Sequence, residues 1–202
     1  VDDADRVTAA IDPNGDRYPA DFVGIAIGLN FNTEIVEQTD LELDDGIVVD
    51  AYMRTSDPNI FAAGDVTQFD DLVLGSQAQN GAWGSARQQG VIAAKNMAEY
   101  GSEPFEWVSS YSITHFDFPF LSFGHPTLGD DTAEARFSET EWRRVAFLDG
   151  RIVGGVLIGD LSPQSKCKQL MRDRRVVADQ RDVLMQESFE LEDLDLEQTI
   201  AD

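Results

Sequence analysis

The apolar pattern changes character at Pro104, and that change limits the folds open to this chain of 202 residues. Before it, short continuous apolar runs alternate with helical stretches. The run at 21–29, DFVGIAIGL, reads as a buried strand of a parallel sheet, because both of its faces are apolar. A loop and a short helix are expected over 30–43, a strand opening 46–55, and a second buried strand at 59–66. A long helix is expected from Ser76 to Tyr100. Ala78, Ala82, Ala86, Val91, Ala93, Ala94 and Met97 would form its apolar face, with Gly101 as the C-cap.

After Pro104 the period shortens to two. Segments 108–118, 119–124, 132–138 and 141–159 read as a run of strands. Asp149-Gly150 splits the last of these into a hairpin, since glycine accepts the positive φ of a type I′ turn. A helix follows, with Ser162 as N-cap and Pro163 in the first helical position. The closing stretch from Gln186 is acidic with alternating leucines, and reads as a frayed helix or a disordered tail. The layout is therefore α/β followed by an antiparallel sheet carrying a helix, with a boundary near 103–108.

Charge narrows the partners. Acidic residues number 38 against 15 basic ones, a net charge of −23, and only Lys95, Lys166 and Lys168 are lysines. Such a surface repels nucleic acid and anionic membranes. It also repels itself at low salt, so the composition points to a halophile's cytoplasm, where screening acts over only ~3 Å near 1 M salt. No apolar run reaches the ~18 residues of a membrane helix. The single cysteine, Cys167, excludes an intrachain disulfide and reads as a small buried apolar residue. No metal site is expected. His115, in an aromatic run, reads as a packing residue.

The stretch TSDPNIFAAGDV (55–66) carries the chemistry. An apolar strand ending in Gly64-Asp65 would set a carboxylate at the carboxyl edge of a sheet, where open α/β sheets bind ligands. Gly64 would permit close approach, and Asp65 is an acceptor suited to sugar-like hydroxyls. The long helix begins soon after, and its N-terminal N–H groups could face partial negative charge on the same ligand. From the Gly-Asp pair alone, a turn or capping role for Asp65 is the simpler reading.

The wider segment 46–66, GIVVDAYMRTSDPNIFAAGDV, closely resembles the second flavin-binding signature of the two-dinucleotide-domain flavoprotein reductases. These include pyridine nucleotide–disulfide reductases, NADH oxidases, rubredoxin and ferredoxin reductases and the flavin part of nitrite reductases. Segments 26–43 and 83–101 resemble the flanking parts of that family, although Phe31 stands where proline is usual. The resemblance implies FAD and NAD(P)H as cofactors. Asp65 would accept a hydrogen bond from a ribityl hydroxyl, with Gly64 beside it. Ala82 and Trp83 would lie near the flavin pyrimidine, and Gly28 would border the nicotinamide. Packing between helix and sheet is an equal alternative for Trp83. No catalytic residue can be assigned.

The resemblance divides the chain into the tail of an NAD-binding domain (1–33), the C-terminal segment of an FAD-binding domain (34–105), an α+β interface domain (106–180) and an acidic tail (181–202). The fold class is thus the end of a doubly wound FAD/NAD-binding fold followed by a smaller antiparallel-sheet domain. Neither Gly-x-Gly-x-x-Gly loop of the family occurs. The chain is therefore expected to be the C-terminal part of a longer enzyme, and inactive alone. His125-Pro-Thr looks like the catalytic motif of glutathione-reductase-type enzymes, but several strands follow it, so it reads as a turn between strands. The resemblance implies a cytoplasmic FAD-dependent oxidoreductase that forms a homodimer and passes electrons to an acceptor such as a small redox protein. The alternative is a non-catalytic dimerisation or docking module built on the β-rich half.

Overall fold

The computed structural model describes residues 2–115 and 117–196. It divides into two units, Val1–Asn30 and Phe31–Asp202. In the first, β1 (Ala9–Ile11) and β2 (Arg17–Pro19) form an antiparallel hairpin with Ala10 opposite Tyr18. Asp12 shapes its turn by accepting the N–H groups of Asn14 and Asp16 at 2.9 and 3.0 Å. The strand expected at 21–29 does not form. No neighbouring strand among the described residues takes up its backbone groups, and Phe22 and Ile27 stand 85% and 90% exposed. A strand exists only through a paired neighbour, so apolar content alone does not produce one.

In the second unit, the short helix expected within 30–43 is replaced by successive tight turns, with Val36 N–H donating to Thr33 O and Thr39 N–H to Val36 O. Ile35 is exposed, so this segment has no buried face to hold a helix in place. Next, β3 (Ile47–Val48) pairs in parallel with β4 (Thr67–Asp70), and β5 (Gln77–Ala78) pairs antiparallel with β4. The strand expected to open 46–55 forms at Ile47–Val48, and the chain turns at Asp50. Its Oδ1 accepts the N–H groups of Tyr52 and Arg54 and folds the chain back. The strand expected at 59–66 is displaced. Residues 59–63 contribute a single bridge, Arg54 to Phe61, and the regular strand starts only at Thr67. Gly64, at φ +101°, causes the shift by closing a turn in which Thr67 N–H donates to Gly64 O.

Helix α1 spans Trp83–Ala98, seven residues shorter at its start than expected. Its buried face is Ser85, Gln89, Ile92, Ala93 and Asn96. Val91 and Met97, assigned to the apolar face from sequence, are exposed. Asn96 ends the helix. Its Nδ2 donates to Ile92 O and Glu103 O, and its Oδ1 accepts Gly101 N–H, with Gly101 at φ +86°. Ile92 and Ala93 pack with Val49, Met53, Phe69 and Phe105 in a first core, where Phe69 meets Phe105 edge-on at 5.1 Å.

The second core belongs to a five-stranded antiparallel sheet of order β6-β7-β10-β9-β8. The strands are β6 (Ser110–Ile113), β7 (Phe120–Gly124), β8 (Asp131–Arg136), β9 (Trp142–Leu148) and β10 (Arg151–Ile158). The β9–β10 turn is the Asp149-Gly150 pair, with φ of +50° and +74° as a type I′ turn requires. Helix α2 (Gln164–Arg172) lays Cys167, Leu170 and Met171 on the sheet. It begins one residue later than expected: Pro163 is its N-cap, and Ser162 Oγ instead donates to Asp160 at 2.8 Å. Short helix α3 (Arg181–Leu184) follows. The acidic stretch after it is held to the core, since Phe189 and Leu194 are buried among the second-core residues. The remainder of that stretch, 197–202, lies outside the described residues.

Arg143 is 2% exposed on the inward register of β9. Its guanidinium donates to the carbonyls of Leu184, Gln186 and Glu187, so it fastens the segment after α3 to the sheet. The Cys167 thiol beside it is buried as expected, and desolvation pushes its pKa up to about 12. His115 is exposed, so it is not a packing residue.

Candidate functional site around Gly64 and Asp65

Asp65 lies in the turn that leads into β4, not at the tip of a finished strand. Three groups that are wholly buried hold this turn against α1: Thr67, Ser85 and Gln89. Gln89 Oε1 accepts Gly64 N–H at 2.6 Å and stands 2.8 Å from Thr67 Oγ1. Gln89 Nε2 donates to Ser85 Oγ at 3.3 Å. The Gly64 N–H fixes which way the amide points, because only an oxygen can receive it. Thr67 Oγ1 also lies 2.8 Å from Gly64 O, so its one proton has two acceptors within reach.

With the turn pinned in this way, the carboxylate has little freedom. Asp65 Oδ1 is buried, and no donor among the described residues reaches it. A buried acceptor without a donor costs free energy, about 1–3 kcal/mol for a neutral group and more for a charged one. Beside it, nothing lies within 4 Å of the place where a side chain on Gly64 would begin. The positive φ of Gly64 also makes any other residue strained there.

Helix α1 supplies donors of the opposite kind. Its N-cap Ala82 is extended and makes no side-chain cap bond, and no acidic residue stands in the first turn. The first N–H groups therefore have no side-chain acceptor, and the positive end of the helix dipole has no local counter-charge. Trp83, at the first helical position, is 82% exposed, so it does not pack between α1 and the described sheets. The start of α1 lies about 9 Å along the axis from Gln89, at 1.5 Å per residue. An extended ligand could offer hydroxyls to Asp65 and electron-rich oxygens to α1. Gly28 belongs to the first unit, where it takes φ +91° in the unpaired 21–30 segment.

Of the residues expected from sequence, Gly64 and Asp65 share this turn and Ala82 and Trp83 start α1; Thr67, Ser85 and Gln89, which hold the turn, were not expected. The i, i+4 spacing of Ser85 and Gln89 was visible, yet neutral polar residues in a helix ordinarily face water. His125 lies in the β7–β8 connection, consistent with a turn. Its Nε2 is 3.3 Å from Oδ2 of Asp71, whose Oδ1 accepts the N–H groups of Val73 and Leu74. Among the described residues, no group of His, Cys, Asp and Glu could hold a metal ion, and no helix is long and apolar enough to cross a membrane.

A short parallel strand pair, a helix without a side-chain N-cap and an antiparallel sheet together make an α/β arrangement. Residues 1–90 match the model of the pyridine nucleotide-disulphide oxidoreductase family. Its members use FAD and NAD(P)H. Putidaredoxin reductase of Pseudomonas putida is 34% identical over 115 residues, covering 55% of this chain and 27% of that protein. The human pyridine nucleotide-disulfide oxidoreductase domain-containing protein 1 is 29% identical over 198 residues, covering 87% of this chain and 38% of that one. In fold, the chain matches the ferredoxin reductase for the CYP199A2 system from Rhodopseudomonas palustris, with a TM-score of 0.82 at 21% identity. That match covers 96% of this chain and 47% of the other. The chain thus spans less than half the length of these relatives.

Proposed function

We propose that, in the intact protein, the Gly64–Asp65 turn and the N-terminus of α1 form part of the FAD site of an NAD(P)H oxidoreductase. The observation that carries this reading is the buried Asp65 Oδ1 with no donor, beside the open space at Gly64. A ribityl hydroxyl is a donor of the right kind, and the open flank leaves room for the chain that bears it. When bound, FAD supplies the chemistry, taking hydride from a nicotinamide and passing electrons on. Asp65 would orient the cofactor by accepting a hydrogen bond from one of its hydroxyls. The first N–H groups of α1, near Ala82 and Trp83, face electron-rich oxygen on the ring. From the family resemblance, Gly28 is our candidate for a nicotinamide-binding residue.

The relatives named as reductases of putidaredoxin and ferredoxin support a small redox protein as the acceptor. The composition supports a cytoplasm of high salt, and the β-rich half is our candidate for a homodimer contact. The test uses the intact protein purified in concentrated KCl. It should be yellow and release flavin on denaturation. Asp65→Ala should lose FAD affinity by roughly 10–100-fold, the equivalent of one charge-assisted hydrogen bond of about 1.5–3 kcal/mol. The apo form of that variant should be at least as stable as the apo wild type, since an unsatisfied acceptor is removed. A colourless intact protein, or unchanged FAD affinity in Asp65→Ala, would overturn the assignment.

A further inference from the structure

A cavity of about 200 Å³ opens between the 72–75 loop, the β9–β10 turn and the end of α2. It shares no residue with the Gly64–Asp65 site. Its floor is apolar, formed by Leu72, Val73, Leu148, Ile152, Val153 and Met171, while Arg151, Arg174 and Asp149 supply its charge. In a chain of net charge −23, a small half-open cavity with apolar residues in its floor, two arginines and one carboxylate is a local reversal of sign.

The backbone of Arg174 adds an independent observation. Only four described non-glycine residues have positive φ, and two of them, Asp149 and Arg174, line this one cavity. Aspartate is ordinary in a type I′ turn. Arginine at the end of a helix is not. Arg175 N–H donates to Leu170 O and Arg174 N–H to Met171 O, so α2 closes in a Schellman-type turn with Arg174 at φ +50°. That position favours glycine. A strained arginine kept at a cavity mouth points to a ligand for its guanidinium.

We propose that this cavity binds a small apolar carboxylate, its body on the Leu72–Val73–Met171 floor and its carboxylate on Arg174. A chamber of 150 Å³ accepts benzene, so the volume suits a ring or branched chain of that size. The guanidinium's planar fork matches the two carboxylate oxygens. The inference does not rest on the flavin reading, and the flavin can be present or absent in its test.

The probe is benzoate, titrated calorimetrically and by thermal shift against the intact protein in concentrated KCl. Neutral benzyl alcohol and inorganic phosphate serve as controls. Benzoate should bind and raise the melting temperature, with both controls at least tenfold weaker. Arg174→Gly should weaken benzoate at least tenfold while melting no lower than wild type, because it removes the guanidinium and relieves the backbone together. Leu74→Trp, placed at the mouth from a partly exposed position, should block binding. Absence of benzoate binding, equal binding of benzyl alcohol, phosphate binding as tightly as benzoate, or unchanged affinity in Arg174→Gly would each overturn the proposal.

Discussion

Gln89→Leu tests how the candidate flavin site is built. Gln89 is fully buried, and leucine fills nearly the same volume, so the cavity contribution is small. The hydrogen bonds are what change. Gly64 N–H loses its acceptor at 2.6 Å; that bond is only partly buried, so its loss costs about 1–2 kcal/mol. Thr67 Oγ1 loses one of two acceptors but can turn to Gly64 O at 2.8 Å, so that loss adds only about 0.5–1 kcal/mol. The Ser85 contact, at 3.3 Å, adds little. The expected destabilisation is about 1.5–3 kcal/mol, read as a lower urea midpoint with unchanged slope. The flavin should also be held more weakly, because the peptide that aims Asp65 is released. Thr67→Val removes the hydroxyl that competes for Gln89, so the double variant should fall short of the summed single effects by roughly 1 kcal/mol. A Gln89→Leu protein within about 0.5 kcal/mol of wild type, or strict additivity with Thr67→Val, would refute the network.

The second core offers further tests. Arg143→Ala leaves three carbonyls without their donor and opens a void, and should cost on the order of 3–5 kcal/mol in urea unfolding. Arg143→Lys should recover only part of this, because one ammonium cannot reproduce the guanidinium fork. Cys167 should resist thiol reagents at pH 8 while the protein is folded and react at once in denaturant, since its burial keeps the thiol protonated. Its raised pKa also favours the folded state fully below pH 9; that contribution fades as pH climbs from 9 towards 12, where the unfolded thiol has already ionised. Cys167→Ala should therefore show a shallower alkaline loss of stability than wild type. With a net charge of −23, the melting temperature should rise steeply as KCl goes from tenths of molar to molar, and a flat profile would refute the high-salt reading.

Legibility in the sequence followed how local each determinant is. The β9–β10 hairpin was readable because Asp149-Gly150 dictates its own turn. Helices α1 and α2 were readable because periodicity is local, although the start of α1 shifted when Gln77 and Ala78 paired with β4 instead, and the helix expected within 30–43 did not form. The runs at 21–29 and 59–66 failed as strands because pairing depends on what lies beside them. Asp65 was expected at a strand end and lies in a turn, because Gly64 closes the chain before β4 begins. Gln89 and Arg143 were missed for a shared reason. Each is a polar side chain in a position that pattern reading assigns to water, and each is buried because its partners lie 22 to 44 residues away along the chain. Hydrogen bonds of that range leave no periodic trace.

The same long-range contacts explain why the Asp65 turn is tied on two sides. On one side Gln89 binds it to α1. On the other, β4 runs straight into Asp71, which orders the 72–75 loop through two N–H groups and meets His125 of the β7–β8 connection. Leu72 and Val73 then pack against the second core. The β7–β8 connection is in turn pressed onto β10, because a side chain at Gly154 would meet the backbone of His125 and Pro126 at 2.5 Å. A short, continuous path of packed groups therefore joins the carboxylate proposed to face the flavin with the antiparallel sheet. Gly154→Ala, though remote from Asp65, would have to push that connection away from the sheet and strain the Asp71–His125 contact with it. Weaker flavin retention in that variant, with the first core intact by fluorescence of Trp107, would show that the sheet helps to hold the cofactor turn; unchanged retention would confine the sheet to its own domain.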